Sequence, residues 1–116
     1  MSDQQRVAIV GRGLIGCAWA VIFARAGWRV RLTDPHAPTL DAAPARILAE
    51  LQALARHGLA DDPQGAAARV SVSPNLAEAV HDAAFVQENG PEKIDDKLAI
   101  FAELDRLAPR DAILAS

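Results

Sequence analysis

The sequence is poor in most of the features that mark specialised proteins. Cys17 is its only cysteine, so an intrachain disulfide is impossible and a reducing, cytoplasmic compartment is expected. Tyrosine is absent, and two Trp and three Phe supply every ring. The core must then be aliphatic and built from closely approaching elements, in keeping with an alanine content of about a fifth of the chain. Basic clusters are missing too. Twelve Lys and Arg stand against fifteen Asp and Glu, a net charge of −3, and no electropositive face for nucleic acid is expected. The most apolar stretch, Leu14 to Ala24, is short and bounded by Arg12 and Arg25, so no membrane partner is expected. Met1 to Arg6 is polar and leads into no signal-peptide core.

What is present is ordinary globular material, 51% hydrophobic and 23% charged over 116 residues, enough for one folded domain. Arg6-Val7-Ala8-Ile9-Val10 is a short apolar run ended by Gly11, as expected of a buried parallel strand. Leu14 to Ala26 is apolar on nearly every side and stops at Gly27, a helix signal. Trp28 to Thr33 alternates and closes at Asp34-Pro35, a second strand whose Arg29 and Arg31 predict one partly open face.

A helical stripe follows over 39–57, with Ile47, Leu51 and Leu54 on one side. Pro44 fits its first turn if Asp41 is the N-cap; otherwise the helix kinks there. The sequence predicts a loop over 60–68, a strand over 70–72, a short helix capped by Asn75, and a strand over 83–88. Ile94, Leu98, Phe101, Leu104 and Leu107 give a last helix face before Pro109, and 112–115 a last strand. Strand–helix alternation of this kind predicts a doubly wound (Rossmann) α/β parallel sheet, truncated after the fifth strand.

Gly11-Arg12-Gly13-Leu14-Ile15-Gly16 is a G-x-G-x-x-G turn between the first strand and the first helix. Gly11 permits the tight turn, Gly13 lets backbone approach a pyrophosphate, and Gly16 lets the helix pack closely. The phosphates would meet free N–H groups at the positive end of the helix dipole. Asp34 lies 18 residues after Gly16, near the roughly 20 expected of a carboxylate that accepts from an adenosine ribose. A carboxylate there repels a 2′-phosphate, so NAD is favoured over NADP. A kinase loop would continue as a strand and need a V-A-I-K lysine, and a methyltransferase would usually show G-x-G-x-G. A flavoprotein shares the turn and stays open on these residues alone. Arg12 could reach a phosphate or be a solvated loop arginine. Cys17 reads as a packing residue.

The segment from Phe85 to Lys97, F-V-Q-E-N-G-P-E-K-I-D-D-K, read with Val7 to Asp34, with Asn75 to Val80, and with Ile100 to Asp105 through Ile113 to Ser116, resembles the N-terminal NAD domain of the L-3-hydroxyacyl-CoA dehydrogenase family. That family includes the lambda-crystallin/gulonate and carnitine dehydrogenase branches, and the likeness covers nearly the whole chain. It implies an NAD-dependent oxidoreductase of fatty acid metabolism, moving a hydride from the 3-hydroxyl carbon of a small substrate, a 3-hydroxyacyl-CoA or other 3-hydroxy acid, to NAD⁺. By position, Glu92 and Lys97 match the family's further NAD contacts, and Glu88 matches the acid ending the fourth strand. A first-turn helix acid and a solvated lysine are the plainer reading of Glu92 and Lys97.

Asn89-Gly90 replaces the small apolar pair usual in the acyl-CoA enzymes, and 39–58 holds Arg46 and Arg56 but no lysine. Gln87-Glu88 and Pro91-Glu92 look closer to the crystallin and carnitine branches, and both departures speak against CoA recognition. The resemblance puts the catalytic serine, the His-Glu pair and the following asparagine beyond residue 116, so no catalytic residue is expected within the chain and no turnover by it alone. It also puts a helical substrate and dimerisation domain beyond the chain, the whole protein being a homodimer. His36, His57 and His81 match none of the family's catalytic positions, and no His/Cys/Asp spacing suggests a metal. Two readings compete: a stand-alone nucleotide sensor, like the NAD-binding domains that gate potassium transport, and a non-binding structural relict.

Overall fold

The computed structural model describes residues 5–11, 13–90 and 93–116. Five parallel strands lie in the order β3-β2-β1-β4-β5. They are β1 (Arg6–Val10), β2 (Arg29–Thr33), β3 (Val70–Val72), β4 (Phe85–Glu88) and β5 (Ile113–Ala115). Helices α1 (Gly13–Arg25), α2 (Ala37–Arg56), α3 (Pro63–Ala68), α4 (Leu76–Val80) and α5 (Ile94–Leu107) make the crossovers. The doubly wound expectation is met. Its important consequence is the reversal of strand order at β1, where β2 departs to one side and β4 to the other. A crevice opens beyond the carboxyl ends of strands at such a switch point.

Period-two alternation sends the two faces of β1 into separate cores. Val7 and Ile9 join Val30 and Leu32 beneath Cys17, Ala20, Val21 and Ala24 of α1 and Leu40, Ala43, Ile47 and Leu51 of α2. Ala8 and Val10 face the other way, packing with Val86, Ala79, Val80 and Leu104. Alanines at the helix–sheet contacts let α1 approach closely, as the shortage of rings requires. Four of the five rings gather around Phe23 instead: it lies 6.1 Å from Trp19, 5.2 Å from Trp28 and 5.6 Å from Phe85, centroid to centroid. Each fully buried Leu or Ile stabilises the fold by about 1.5–3 kcal/mol.

Several expectations need revision. β4 begins at Phe85 rather than at 83 and β5 at Ile113 rather than at 112, and on α5 Leu104 is buried while Ile94 and Leu98 are exposed. Asp41 does not cap α2. The helix begins at Ala37 with His36 as N-cap, its Nδ1 accepting from the Thr39 N–H at 3.3 Å. Pro44 therefore sits inside the helix rather than in its first turn, and contributes no N–H to the ladder there. The predicted loop over 60–68 contains α3, capped by Asp62, whose Oδ1 accepts from Gly65 N–H at 3.0 Å. Trp28 falls outside β2, which starts at Arg29. The partly open face of β2 is present as expected. Arg29 is exposed, while Arg31 is half-buried and donates to the Glu78 carbonyl at 2.8 Å and to Asp82 at 3.2 Å.

Candidate dinucleotide site

The site grows from the end of β1. Gly11 leaves the strand at φ +59° and Gly13 enters α1 at φ +52°. Both angles lie in the left-handed region that costs an ordinary L-residue about 1–2 kcal/mol. The Gly11 N–H donates to the Thr33 carbonyl at 2.8 Å, clamping the turn to the end of β2. A Cβ on Gly13 would meet nothing within 4 Å, so the turn presents open space on that side. Gly16 differs. A Cβ there would lie 2.6 Å from the Gly11 carbonyl oxygen and 3.4 Å from Leu32 Cδ1. The third glycine thus brings α1 against the turn itself as well as against the sheet.

Leu14 and Ile15 turn their side chains to solvent, at 62% and 60% exposure. What they can offer an anion is backbone N–H, because the first N–H groups of a helix have no partner within it. No acidic side chain occupies the first turn of α1 to compete. Arg12 lies outside the described residues.

Asp34, at the tip of β2, is 8% exposed. Its Oδ2 accepts from the Gly13 N–H at 3.1 Å and its Oδ1 from the His36 N–H at 2.9 Å. One bond to each oxygen fixes the carboxylate and leaves each with a further lone pair to accept a hydroxyl. Sequence spacing therefore brought Gly11, Gly13, Gly16 and Asp34 to one place. A cleft of about 420 Å³ runs beside them, lined by Val10, Gly11, Asp34, Pro35, His36, Gly90 and Ile100.

The far wall is made by the end of β4. Asn89 donates its side-chain N–H to the Gly11 carbonyl at 3.1 Å, tying the two turns together. Glu88 is 1% exposed; its Oε1 accepts from Lys97 Nζ at 2.8 Å, and its Oε2 accepts from the Gly90 N–H. Ser116 Oγ joins them, 2.8 Å from Lys97 Nζ and 3.2 Å from Glu88 Oε1. Lys97 is thus neither freely solvated nor pointed at an empty site. Glu92, expected to act with it, lies outside the described residues. Glu88 and Lys97 were matched to family positions, but nothing in the sequence signals that they meet each other and Ser116, or that Ile100 lines the cleft, because strand register and helix phase decide which side chains meet.

Cys17 is buried, and burial pushes its thiol above the ordinary range, with Glu50 acting in the same direction. That is the environment of a packing residue rather than a nucleophile. Among the described residues no group of three or more His, Cys, Asp or Glu is gathered to hold a metal. None of their helices is long and apolar enough to cross a membrane. A smaller cleft of about 150 Å³ at the opposite end of the sheet, lined by Arg6, Arg29, Arg31 and Asp82 among others, shares no residue with the crevice.

A left-handed glycine turn, a helix N-terminus and a fixed acid at the tip of the next strand define a dinucleotide-binding domain. The residues fit the cofactor on the structure's own terms: open space at Gly13 and spare acceptor capacity at Asp34. Residues 6–116 match the family model described as 3-hydroxyacyl-CoA dehydrogenase, NAD binding domain. The chain belongs to that family and is its NAD-binding domain. It is 43% identical over 115 residues to an L-carnitine dehydrogenase of Streptomyces griseus, covering 98% of this chain and 33% of that protein. A lambda-crystallin homolog of Rattus norvegicus is 39% identical over 113 residues, 95% of this chain and 35% of that one. Among solved structures, a 3-hydroxybutyryl-CoA dehydrogenase from Escherichia coli K12 superposes with a TM-score of 0.84 at 28% identity, over 97% of this chain and 24% of that chain. The chain spans about a third of the length of these curated relatives.

Proposed function

We propose that this domain serves an oxidoreductase that oxidises the 3-hydroxyl carbon of a small substrate, and that it does so by holding NAD in the crevice between the ends of β1, β2 and β4. The observation that carries the reading is the Asp34 carboxylate, fixed by two backbone N–H groups beside the glycine turn. Bound NAD⁺ supplies the hydride acceptor. The chain's own contribution is binding and orientation. The first turn of α1 meets the pyrophosphate through backbone N–H groups. Asp34 accepts from the adenosine ribose and repels a 2′-phosphate. Val10, Gly11 and Gly90 wall the crevice.

Within the family, the 3-hydroxyacyl-CoA activity is the main reading and the carnitine or gulonate branch is the alternative. The alternative is favoured by the 43% identity to an L-carnitine dehydrogenase and by the absence of lysine over 39–58. A cytoplasmic location and a homodimeric whole protein belong to the same proposal.

The test is a fluorescence titration of the chain with NADH and NADPH. NADH is expected to bind and NADPH to bind at least about tenfold more weakly, since an unscreened like-charge contact costs a kcal/mol or more. Equal affinity for the two, or none for either, overturns the reading.

A further inference from the structure

Glu88 is the most deeply buried acid among the described residues, at 1% exposure, and the reading above gives it no task. A carboxylate taken out of water costs free energy that an aliphatic side chain of similar size would not. Here every connection it makes leads to the crevice or to the strand and helix beside it. Oε2 holds the Gly90 N–H, and Gly90 lines the cleft. Oε1 holds Lys97 Nζ on α5 and lies 3.2 Å from Ser116 Oγ at the end of β5. A Cβ placed on Gly90 would fall 2.5 Å from Oε2, so the turn is closed down onto the carboxylate. Gly90 Cα in turn lies 3.7 Å from where a Cβ on Gly11 would stand, and Asn89 bonds the Gly11 carbonyl. The carboxylate is the joint that sets the height of the β4 turn against the glycine turn.

Strand order gives this joint a side. Asp34 follows β2 directly and Glu88 ends β4, on opposite flanks of β1. A dinucleotide laid across the switch point has its adenosine half beside Asp34 and its other nucleoside half beside β4 and β5. We infer that Glu88 is a positioning residue for the nicotinamide half of the cofactor. It acts through Gly90 and Lys97 and makes no contact with the adenosine half. The inference rests on the proposed NAD-binding function.

ADP carries only the adenosine and pyrophosphate half, so the ratio of ADP to NADH affinity separates the two claims. The 116-residue chain and its Glu88→Gln, Gly90→Ala and Lys97→Met variants would be titrated with both ligands, with a thermal melt of each. Glu88→Gln removes the charge that holds Lys97. Gly90→Ala keeps every charge and pushes the turn off Oε2. Lys97→Met removes a residue with 28% of its side chain exposed, so it keeps the test open if Glu88→Gln fails to fold. All folded variants are expected to lose NADH affinity about tenfold, the loss of one charge-assisted contact, and to bind ADP within about twofold of the parent. Parallel loss of ADP and NADH would make Glu88 a fold residue and overturn the inference, as would unchanged NADH affinity. A parent chain that binds neither ligand would instead sink the NAD reading on which the inference stands.

Discussion

Gly16→Ala is the substitution in which two well-known effects oppose each other and the structure decides the sign. In the interior of an exposed helix, replacing Gly by Ala stabilises by about 1 kcal/mol through backbone entropy alone. At position 16 the new Cβ would stand 2.6 Å from the Gly11 carbonyl oxygen and 3.1 Å from its carbon. Those are backbone atoms, clamped by the Gly11 N–H to Thr33 and by Asn89 to that same oxygen. They cannot swing aside as a side-chain tip would. Restoring ordinary contact requires α1 to retreat from the turn by roughly 0.6–0.8 Å, and insertion of that kind into a packed contact costs about 1–3 kcal/mol.

Net destabilisation of up to about 2 kcal/mol is expected once the helix-propensity gain is subtracted. In a domain of this size that lowers the melting temperature by up to roughly 16 °C. The same retreat carries the first helical N–H groups away from the turn, so NADH affinity should fall at least about tenfold. Thermal denaturation and NADH fluorescence titration read the two effects separately. Gly13→Ala is the useful companion: its Cβ meets nothing, so it should cost only the left-handed backbone term of about 1–2 kcal/mol. A Gly16→Ala chain as stable as the parent, with unchanged NADH affinity, would refute the account of the turn.

Asp34→Ala should weaken NADH and narrow its advantage over NADPH, because the carboxylate that accepts the ribose is also the charge that repels the phosphate; competition binding reads both. Leu104→Ala, at a fully buried position, should cost about 2–5 kcal/mol in urea denaturation, whereas Leu98→Ala, 62% exposed, should change stability by less than about 0.5 kcal/mol. Cys17 should react with a thiol reagent far more slowly in the native chain than in denaturant, since burial both shields it and holds its proton. The folded thiol titrates above its unfolded value, so its contribution is intact below the ordinary thiol range and declines as pH rises through and above that range. A Cys17→Ala chain should show a flatter alkaline limb in a stability–pH series.

The parts of this molecule governed by local rules were legible in its residues. Buried runs such as 6–10, the glycine turn and the acid at Asp34 follow from periodicity and spacing, and each lies where those rules put it. Sequence and structure part where two local signals compete. Asp41 is a good capping residue by type, but His36 with Pro38 starts the helix earlier and carries Pro44 into its interior. Asp62-Pro63 is itself a helix-start signature, N-cap then first-turn proline, set beside Asp61 and Gly65, which are loop residues by type. The meeting of Glu88, Lys97 and Ser116 was out of reach for a different reason. It depends on β4 and β5 lying side by side and on the rotation of α5 above them, and no spacing rule encodes either.

The central claim is that the carboxyl ends of β1, β2 and β4 together form one dinucleotide crevice. An amide chemical-shift map of the chain titrated with NADH tests it most directly. The largest shifts are expected at Gly11, Gly13, Gly16, Asp34 and Gly90, with little change at Arg6, Arg29 and Arg31 at the other end of the sheet. Shifts concentrated on those arginines, or spread evenly over the domain, would contradict it.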